Sequence, residues 1–133
     1  PSKHLIETNK TVNDWVEFAE NFLEIPYKWG GRNSIGIDCS ALLQLSYQTY
    51  GENISRNSID QVKLKKKEIH DINLLDRGFV VFWVGHVAIM VDKLNCIHAN
   101  AFHLKTVIEP LSNVIKRMGS QVKIKKMCNF NLR

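Results

Sequence analysis

Apolar residues recur at helical spacing near the start of the chain. Between Thr11 and Glu24 they fall three or four positions apart, a pattern that predicts an amphipathic helix. Thr11 or Asn13 is suited to cap this helix, and Pro26 follows it closely enough to end it. The first element of the fold is therefore predicted to be a helix with one buried face.

A second helix is predicted to begin near Cys39 and to end at about Tyr50, because Gly51 follows as a typical helix-terminating residue. Its apolar residues point in several directions, so we expect this helix to lie centrally in the fold. A short helical turn is predicted over residues 58–64, with Ser58 as its cap.

The pattern changes to β-branched and aromatic runs in the second half of the chain. Two of these runs are separated by Gly85, which predicts a tight turn between neighbouring strands. The predicted strands are Phe79–Val84, His86–Asp92, Asn95–Ala99, Lys105–Glu109 and Gln121–Met127, with one or two helical turns at Pro110–Arg117. Helices followed by strands predict an α+β fold, with N-terminal helices packed on an antiparallel sheet.

Composition limits the classes of protein that this chain fits. Its 133 residues suffice for a single domain with an ordinary core, and its longest apolar run, Phe79–Val84, is too short for a membrane span. The net charge of +5 comes partly from the lysine-rich segment Lys63–Lys67. No aromatic residues are interleaved with these lysines, so we predict a solvated surface and no nucleic-acid partner, leaving attraction to an anionic polymer open.

Cysteine placement gives the first indication of chemistry. The chain has 3 cysteines and no CxxC pair, so a disulfide framework is not expected. Cys39 lies where the second helix begins, and the unpaired N–H groups of a first helical turn favour a thiolate. This position predicts a lowered thiol pKa and suits a nucleophile.

A cysteine nucleophile needs an imidazole base and a polar group that orients the base. His86 opens one predicted strand and His98 lies on the next, so the two histidines are candidates for these roles. Two alternatives remain open from spacing alone: His86 as a structural residue, and a zinc site that uses Cys96, His98, His103 and His86. The spacing of Cys96 and His98 lacks the paired two-residue gaps of structural zinc sites.

Four sequence motifs occur in a fixed order between Asn13 and Glu109. They are PYKWGG leading into IDCSALLQLSY, then SRNSIDQ, GHVAIMV and CIHAN. Together they resemble the NlpC/P60 family of cell-wall cysteine peptidases, in which a PYxWGG-like turn precedes a DCSGLVQ-like helix start. The resemblance implies a papain-like α+β fold with helices on an antiparallel sheet of about five or six strands.

The resemblance also implies a role for each matching residue. Cys39 corresponds to the nucleophile, His86 to the base and acid, and His98 to the orienting group. The backbone N–H of Cys39 and the hydroxyl of Tyr27 correspond to oxyanion donors. The positions that match substrate contacts are Asp38, Ser40, Arg56 and Ser58, for which helix capping or a surface ion pair is the alternative. No metal and no organic cofactor is implied.

The implied activity is hydrolysis of an amide bond in a peptidoglycan stem peptide. The bond joins γ-D-glutamate to a diamino acid, meso-diaminopimelate or lysine, and an acyl-enzyme is the intermediate. Two alternatives stay open: a non-catalytic wall-binding module of the same fold, and an amidase or acyltransferase on a papain-like scaffold.

The expected organisation is a single catalytic domain over residues 1–133. Residues 1–10 are polar and are expected to be a linker or tail from N-terminal targeting domains that lie outside this chain. We expect a monomer whose partner is stem peptide or muropeptide. The resemblance implies a secreted, periplasmic or wall-associated protein rather than one of cytoplasmic recycling.

Overall fold

An antiparallel sheet lies at the centre of the structure, a computed structural model that describes residues 13–132. A small ribbon of β1 (Arg32–Asn33) and β2 (Gly36–Ile37) lies apart from it. The six strands of the main sheet are β3 (Lys67–Ile69), β4 (Phe79–Trp83), β5 (His86–Met90), β6 (Asn95–Asn100), β7 (Lys105–Pro110) and β8 (Lys126–Asn129). They are arranged in the order β3-β8-β4-β5-β6-β7, and every neighbouring pair is antiparallel.

Helices cover the sheet on both faces. The described residues form α1 (Val16–Glu20), α2 (Cys39–Gln48), α3 (Ser58–Gln61) and α4 (Leu111–Met118), with a 3₁₀ turn at Ile72–Leu74. Successive residues of a strand point to opposite faces, and β4 and β5 are buried on both of theirs. One face packs against α1 and α2, and the other packs against α4. The α+β fold predicted from the sequence is confirmed.

The central position predicted for α2 is also confirmed. Leu42, Leu43 and Tyr47 are at most 1% exposed, and α2 packs against α1, β5 and β6. The hydroxyl of Tyr47 donates to the carbonyl of Phe130 across 2.8 Å, which ties α2 to the end of the chain beyond β8. The position of Cys39 is therefore fixed by a helix that is packed on several sides.

Strand pairing puts His86 at a fixed place. In the hairpin of β4 and β5, Trp83 pairs with His86, and Val84 and Gly85 form the two-residue turn. Gly85 has a φ of +76°, a backbone conformation that residues other than glycine rarely adopt. The predicted tight turn is confirmed, and it makes His86 the first residue of β5.

Several predicted elements differ from the structure. The strand predicted at Gln121–Met127 is wrong in its bounds, because Val122 is 39% exposed and its N–H bonds back to the carbonyl of Gly119. The buried alternation instead continues at Cys128 and Phe130, so the strand lies later, at Lys126–Asn129. Val122 and Ile124 alternate with lysines as the residues of a half-buried strand would, but they precede β8 and do not belong to it.

The start of the chain and one helix cap also differ. The helix predicted over residues 11–24 is confirmed only as Val16–Glu20, followed by turns up to Glu24, whose φ is +70°. Trp15 is its N-cap residue, so the cap predicted at Asn13 is wrong, and Thr11 lies outside the described residues. Asn57, not Ser58, is the N-cap residue of α3.

The edge strand β3 was not predicted. Its residues, Lys67–Ile69, follow a lysine-rich segment and pair only with β8. Charged residues are common on edge strands because they discourage pairing with other chains.

All three cysteines are free, so none of them forms a disulfide bond. No helix within residues 13–132 is long and apolar enough to cross a membrane.

Candidate active site

A cleft of about 710 Å³ opens where the start of α2 meets the sheet. All eight site residues predicted from the sequence line it: Tyr27, Asp38, Cys39, Ser40, Arg56, Ser58, His86 and His98. The structure therefore brings together residues that lie up to 71 positions apart in the chain.

The turn that precedes α2 fixes the position of Cys39. Gly31 passes so close to the ribbon that an added Cβ would lie 2.4 Å from the carbonyl oxygen of Gly36, so only glycine fits. The N–H of Asp38 then donates to the carbonyl of Gly31 across 3.0 Å. Asp38 caps α2 by accepting from the N–H of Ala41 at 2.9 Å, and Cys39 is the first helical residue.

Burial raises the pKa of the Cys39 thiol to about 11. The backbone N–H groups of Val87, Ser40 and Cys39 itself lower it, while the charge of Asp38 raises it further. The low thiol pKa predicted from the helix start is therefore wrong in direction, because loss of solvent outweighs the helical N–H groups. Cys39 is a neutral thiol at neutral pH.

His86 and His98 are joined by a short hydrogen bond. The Nε2 atom of His86 lies 2.7 Å from the Nδ1 atom of His98, and the two rings meet edge to face. Burial lowers the pKa of His86 to about 3, with further lowering by the charges of His98 and Arg117. Burial also lowers the pKa of His98, so both imidazoles are neutral at neutral pH.

Three further residues extend this hydrogen-bonded chain, and none of them was predicted to belong to it. The Nε2 atom of His98 lies 2.7 Å from Oε2 of Glu109, on β7. Arg117, in the last turn of α4, donates to both carboxylate oxygens of Glu109, and His103 Nε2 lies 3.2 Å from Oε2. A carboxylate inside a predicted strand was a detectable signal for Glu109, whereas nothing in the sequence places Arg117 beside it.

Asp38 also holds a second cluster on the cleft wall. Both of its oxygens accept from the guanidinium of Arg56 at 3.0 Å, and Oδ2 accepts from the N–H of Gly30. Arg56 donates to Ser40 Oγ at 2.9 Å as well. Burial alone would raise the pKa of Asp38, but the hydrogen bonds and charge of Arg56 and the bonds from backbone N–H groups hold it below its usual value. Asp38 thus caps a helix and pairs with Arg56 at once.

Tyr27 and Ser58 complete the predicted set. Burial raises the pKa of Tyr27, and the negative charge of Asp38 raises it further, so its hydroxyl keeps its proton at neutral pH. Ser58 is the first residue of α3 and faces the cleft. Exposed apolar side chains add to the lining: Trp29, Ile59 and Phe102. Within residues 13–132, no group of three or more histidine, cysteine or acidic side chains is arranged to hold a metal ion.

The cleft contains a cysteine at the start of a central helix and a pair of histidines from an antiparallel sheet. This combination places the chain in a class of α+β domains that have a cysteine–histidine site. The model of the NlpC/P60 family matches residues 24–126. The chain belongs to the NlpC/P60 family.

Relatives with assigned names support the same family. The chain is 31% identical over 99 residues to dipeptidyl-peptidase 6 of Lysinibacillus sphaericus, covering 74% of this chain and 36% of that protein. It is 32% identical over 95 residues to a γ-D-glutamyl-L-lysine dipeptidyl-peptidase of Bacillus subtilis (strain 168), covering 67% of this chain and 32% of that protein. The chain thus spans about a third of the length of these relatives.

Solved structures show the same fold. An NlpC/P60 family protein from Bacillus cereus ATCC 10987 superposes with a TM-score of 0.74 at 25% identity, over 89% of this chain and 39% of that one. The peptidoglycan hydrolase RipB of Mycobacterium tuberculosis superposes with a TM-score of 0.73 at 19% identity, over 94% of this chain and 67% of that one. At that identity the likeness to RipB concerns the fold alone.

Proposed function

We propose that the chain is a cysteine peptidase domain that hydrolyses an amide bond in peptidoglycan stem peptides. The observation that carries this proposal is the meeting of Cys39, His86 and His98 in one cleft, with the two histidines hydrogen-bonded. These residues lie within the stretch that the family model matches, in motifs that resemble those of the family, and the relatives with assigned names are peptidases. Geometry, family and relatives thus support one reaction class.

The proposed reaction begins with both partners neutral. As the sulfur of Cys39 attacks the scissile carbonyl, His86 takes the thiol proton and becomes an imidazolium. It then gives this proton to the nitrogen of the leaving amine as the C–N bond breaks, leaving a thioester. Water attacks the thioester with His86 as base, the carboxylic acid departs, and the proton returns to the sulfur.

Two donors are suited to the oxyanion of the tetrahedral intermediate. We assign them as the backbone N–H of Cys39, at the start of α2, and the protonated hydroxyl of Tyr27. The helix start, which does not lower the thiol pKa enough to ionise it, would then act on the charge that develops on the substrate oxygen. Removing one oxyanion donor from an enzyme typically costs about 10²–10³ in kcat.

We propose a γ-D-glutamyl residue on the acyl side of the cut bond and lysine or meso-diaminopimelate on the other. The B. subtilis relative is named for γ-D-glutamyl-L-lysine, which supports this choice. Asp38 and Ser40 are proposed to recognise the free amine of the preceding residue, and Arg56 and Ser58 the glutamyl part. The ion pair of Asp38 and Arg56, at 3.0 Å, supplies both charges on one wall of the cleft.

Defined stem peptides test this proposal. L-Ala-γ-D-Glu-L-Lys and its meso-diaminopimelate counterpart should each be offered, and the products identified by mass spectrometry. We expect L-Ala-D-Glu and the free diamino acid as products, and slower cleavage of the N-acetylated peptide at equal concentration. Binding of the peptides without any cleavage would favour the wall-binding module instead, and acylation of an added amine would favour an acyltransferase.

A further inference from the structure

Glu109 lies one hydrogen bond beyond His98, on the side away from His86. We propose that Glu109, held by Arg117, is a positioning residue that determines which ring nitrogens of His98 and His86 carry protons. This inference rests on the proposed function, since it concerns the base of the same reaction. The role acts through two imidazoles, because Glu109 is not among the residues that line the cleft.

The carboxylate of Glu109 is buried and well supplied with donors. Glu109 as a whole is only 9% exposed. The Oε2 atom of its carboxylate lies 2.7 Å from His98 Nε2, and the guanidinium of Arg117 donates to both carboxylate oxygens. His103 approaches the same Oε2 atom at 3.2 Å. The guanidinium of Arg117 also lies 4.1 Å from the ring centroid of Phe102, which helps to fix it.

These contacts keep Glu109 ionised. Burial alone would raise its pKa, but the hydrogen bond from His98 and the charge of Arg117 hold the pKa below its usual value. An ionised carboxylate only accepts hydrogen bonds. At 2.7 Å it would repel a nitrogen lone pair, so Nε2 of His98 must carry the proton.

Asn100 also faces this nitrogen, with Nδ2 at 3.2 Å from His98 Nε2. Its amide is oriented by the N–H of His103, which donates to Oδ1 at 2.9 Å. Taken alone, this amide would favour a lone pair on Nε2. The carboxylate is closer and charged, and hydrogen bonds to charged groups are the stronger ones, so Glu109 determines the tautomer.

The tautomer of His98 then sets that of His86. A neutral His98 with its proton on Nε2 presents a lone pair on Nδ1, which accepts from Nε2–H of His86 across 2.7 Å. A neutral His86 with its proton on Nε2 has a lone pair on Nδ1. That nitrogen is then free to take the thiol proton of Cys39. Glu109 thus acts through the direction of two hydrogen bonds rather than through net charge, which Arg117 balances.

This mechanism predicts that glutamine harms the site more than alanine does. In Glu109→Gln, Arg117 requires the amide oxygen as its acceptor, so the amide NH₂ turns to His98 and donates to Nε2. The proton of His98 then moves to Nδ1, and His86 is forced to carry its own proton on Nδ1. In Glu109→Ala only the neutral amide of Asn100, 3.2 Å from His98 Nε2, still favours a lone pair on that nitrogen, which is a weaker bias than a second amide donor in place of the carboxylate. A packing role alone would produce the opposite order, because glutamine nearly preserves the shape of glutamate.

The direct test is ¹⁵N NMR of the imidazoles in the whole 133-residue chain with labelled histidine. In the wild type we expect His98 and His86 each to carry the proton on Nε2 at pH 7. In Glu109→Gln both histidines should carry the proton on Nδ1. The control is Glu68→Gln, which removes a carboxylate on β3 that lies outside the cleft, and its two histidines should match those of the wild type. A wild-type His98 with its proton on Nδ1 overturns the proposal without any variant.

Kinetics give the second readout. We expect kcat for stem-peptide cleavage to fall at least about tenfold more in Glu109→Gln than in Glu109→Ala, with KM changed less than threefold in both. The rate of Cys39 alkylation should follow the same order, and it needs no substrate. Equal losses in the two variants, or a larger loss in alanine, contradict the role of Glu109.

These readouts separate the two proposals. If the wild type cleaves stem peptides but Glu109→Gln keeps its kcat and its tautomers, the positioning role fails while the proposed function stands. If no stem peptide is cleaved but the tautomers and alkylation rates change as described, the positioning role stands and the choice of substrate fails.

Discussion

At the residue scale, His86 is neutral because burial removes the water that would stabilise its charged imidazolium form. Burial lowers its pKa to about 3, from the ordinary value of 6.5, and the charges of His98 and Arg117 add to this effect. A neutral imidazole has a ring nitrogen with a lone pair that can take the thiol proton as the sulfur attacks, so the proposed reaction needs no ion pair in the resting protein.

This neutral state makes the fold sensitive to acid. Between the unfolded and folded pKa values of His86 the unfolded chain binds more protons, so stability falls as the pH falls below about 6.5. From pH 7 to pH 5 the wild type should lose about 2 kcal/mol of unfolding free energy through His86. Urea unfolding at both pH values measures this loss.

The matched variant is His86→Gln, which removes the titrating group. Its loss between pH 7 and pH 5 should be smaller than that of the wild type by about the same 2 kcal/mol. Identical losses in the two proteins would mean that His86 titrates normally and is not held neutral by burial.

At the element scale, the start of α2 depends on Asp38. Its side chain accepts from the N–H of Ala41 and from both guanidinium nitrogens of Arg56. Asparagine caps helices about as well as aspartate, whereas alanine does not. The capping role and the charge of this residue can therefore be separated by two substitutions.

Asp38→Ala should lower the free energy of unfolding by about 1 kcal/mol more than Asp38→Asn, because only alanine removes the cap. Both variants should weaken cleavage of substrates with a free amine, since both remove the charge. Chemical denaturation and kcat/KM for free and acetylated peptides are the measurements. Equal stability of the two variants would show that Asp38 does not cap α2.

Elements with a strong local pattern were predictable, and those set by distant contacts were not. The strands that begin at Phe79 and His86 carry their own β-branched runs, so their type and order follow from sequence. β3 was missed because its residues are charged and its pairing with β8 joins segments about 60 positions apart. Motifs predicted Cys39, His86 and His98 as site residues, and the structure places them in one cleft. The contact of Glu109 with Arg117 depends instead on how α4 packs.

At the scale of the whole molecule, an aromatic cluster joins the residues around α1 to the segment that follows β8. Trp15 is fully buried. Its ring meets the ring of Tyr47 on α2 edge to face, with the two ring centroids 5.1 Å apart, and its centroid lies 6.4 Å from that of the Phe130 ring. This cluster packs α1, α2 and the segment after β8 together, on the face of the sheet that α2 covers.

Trp15→Ala should lower the free energy of unfolding by about 3–5 kcal/mol, the usual cost of removing a large buried aromatic side chain. Trp15→Phe should cost much less, because it keeps an aromatic ring and removes an indole N–H that has no hydrogen-bond partner among the residues that the structure describes. Thermal and urea unfolding give both values. The folded variants should keep the wild-type kcat, since Trp15 does not line the cleft; a large kcat loss in folded Trp15→Phe would contradict this separation of core and site.

We propose Cys39 as the nucleophile of an amide hydrolase. The most direct test is kcat/KM of Cys39→Ala on a stem peptide that the wild type cleaves, with Cys128→Ala as control because Cys128 is buried and lies outside the cleft. We expect a loss of at least about 10³-fold for Cys39→Ala and nearly unchanged cleavage by the folded control. Cleavage by Cys39→Ala at the wild-type rate would contradict this role of Cys39.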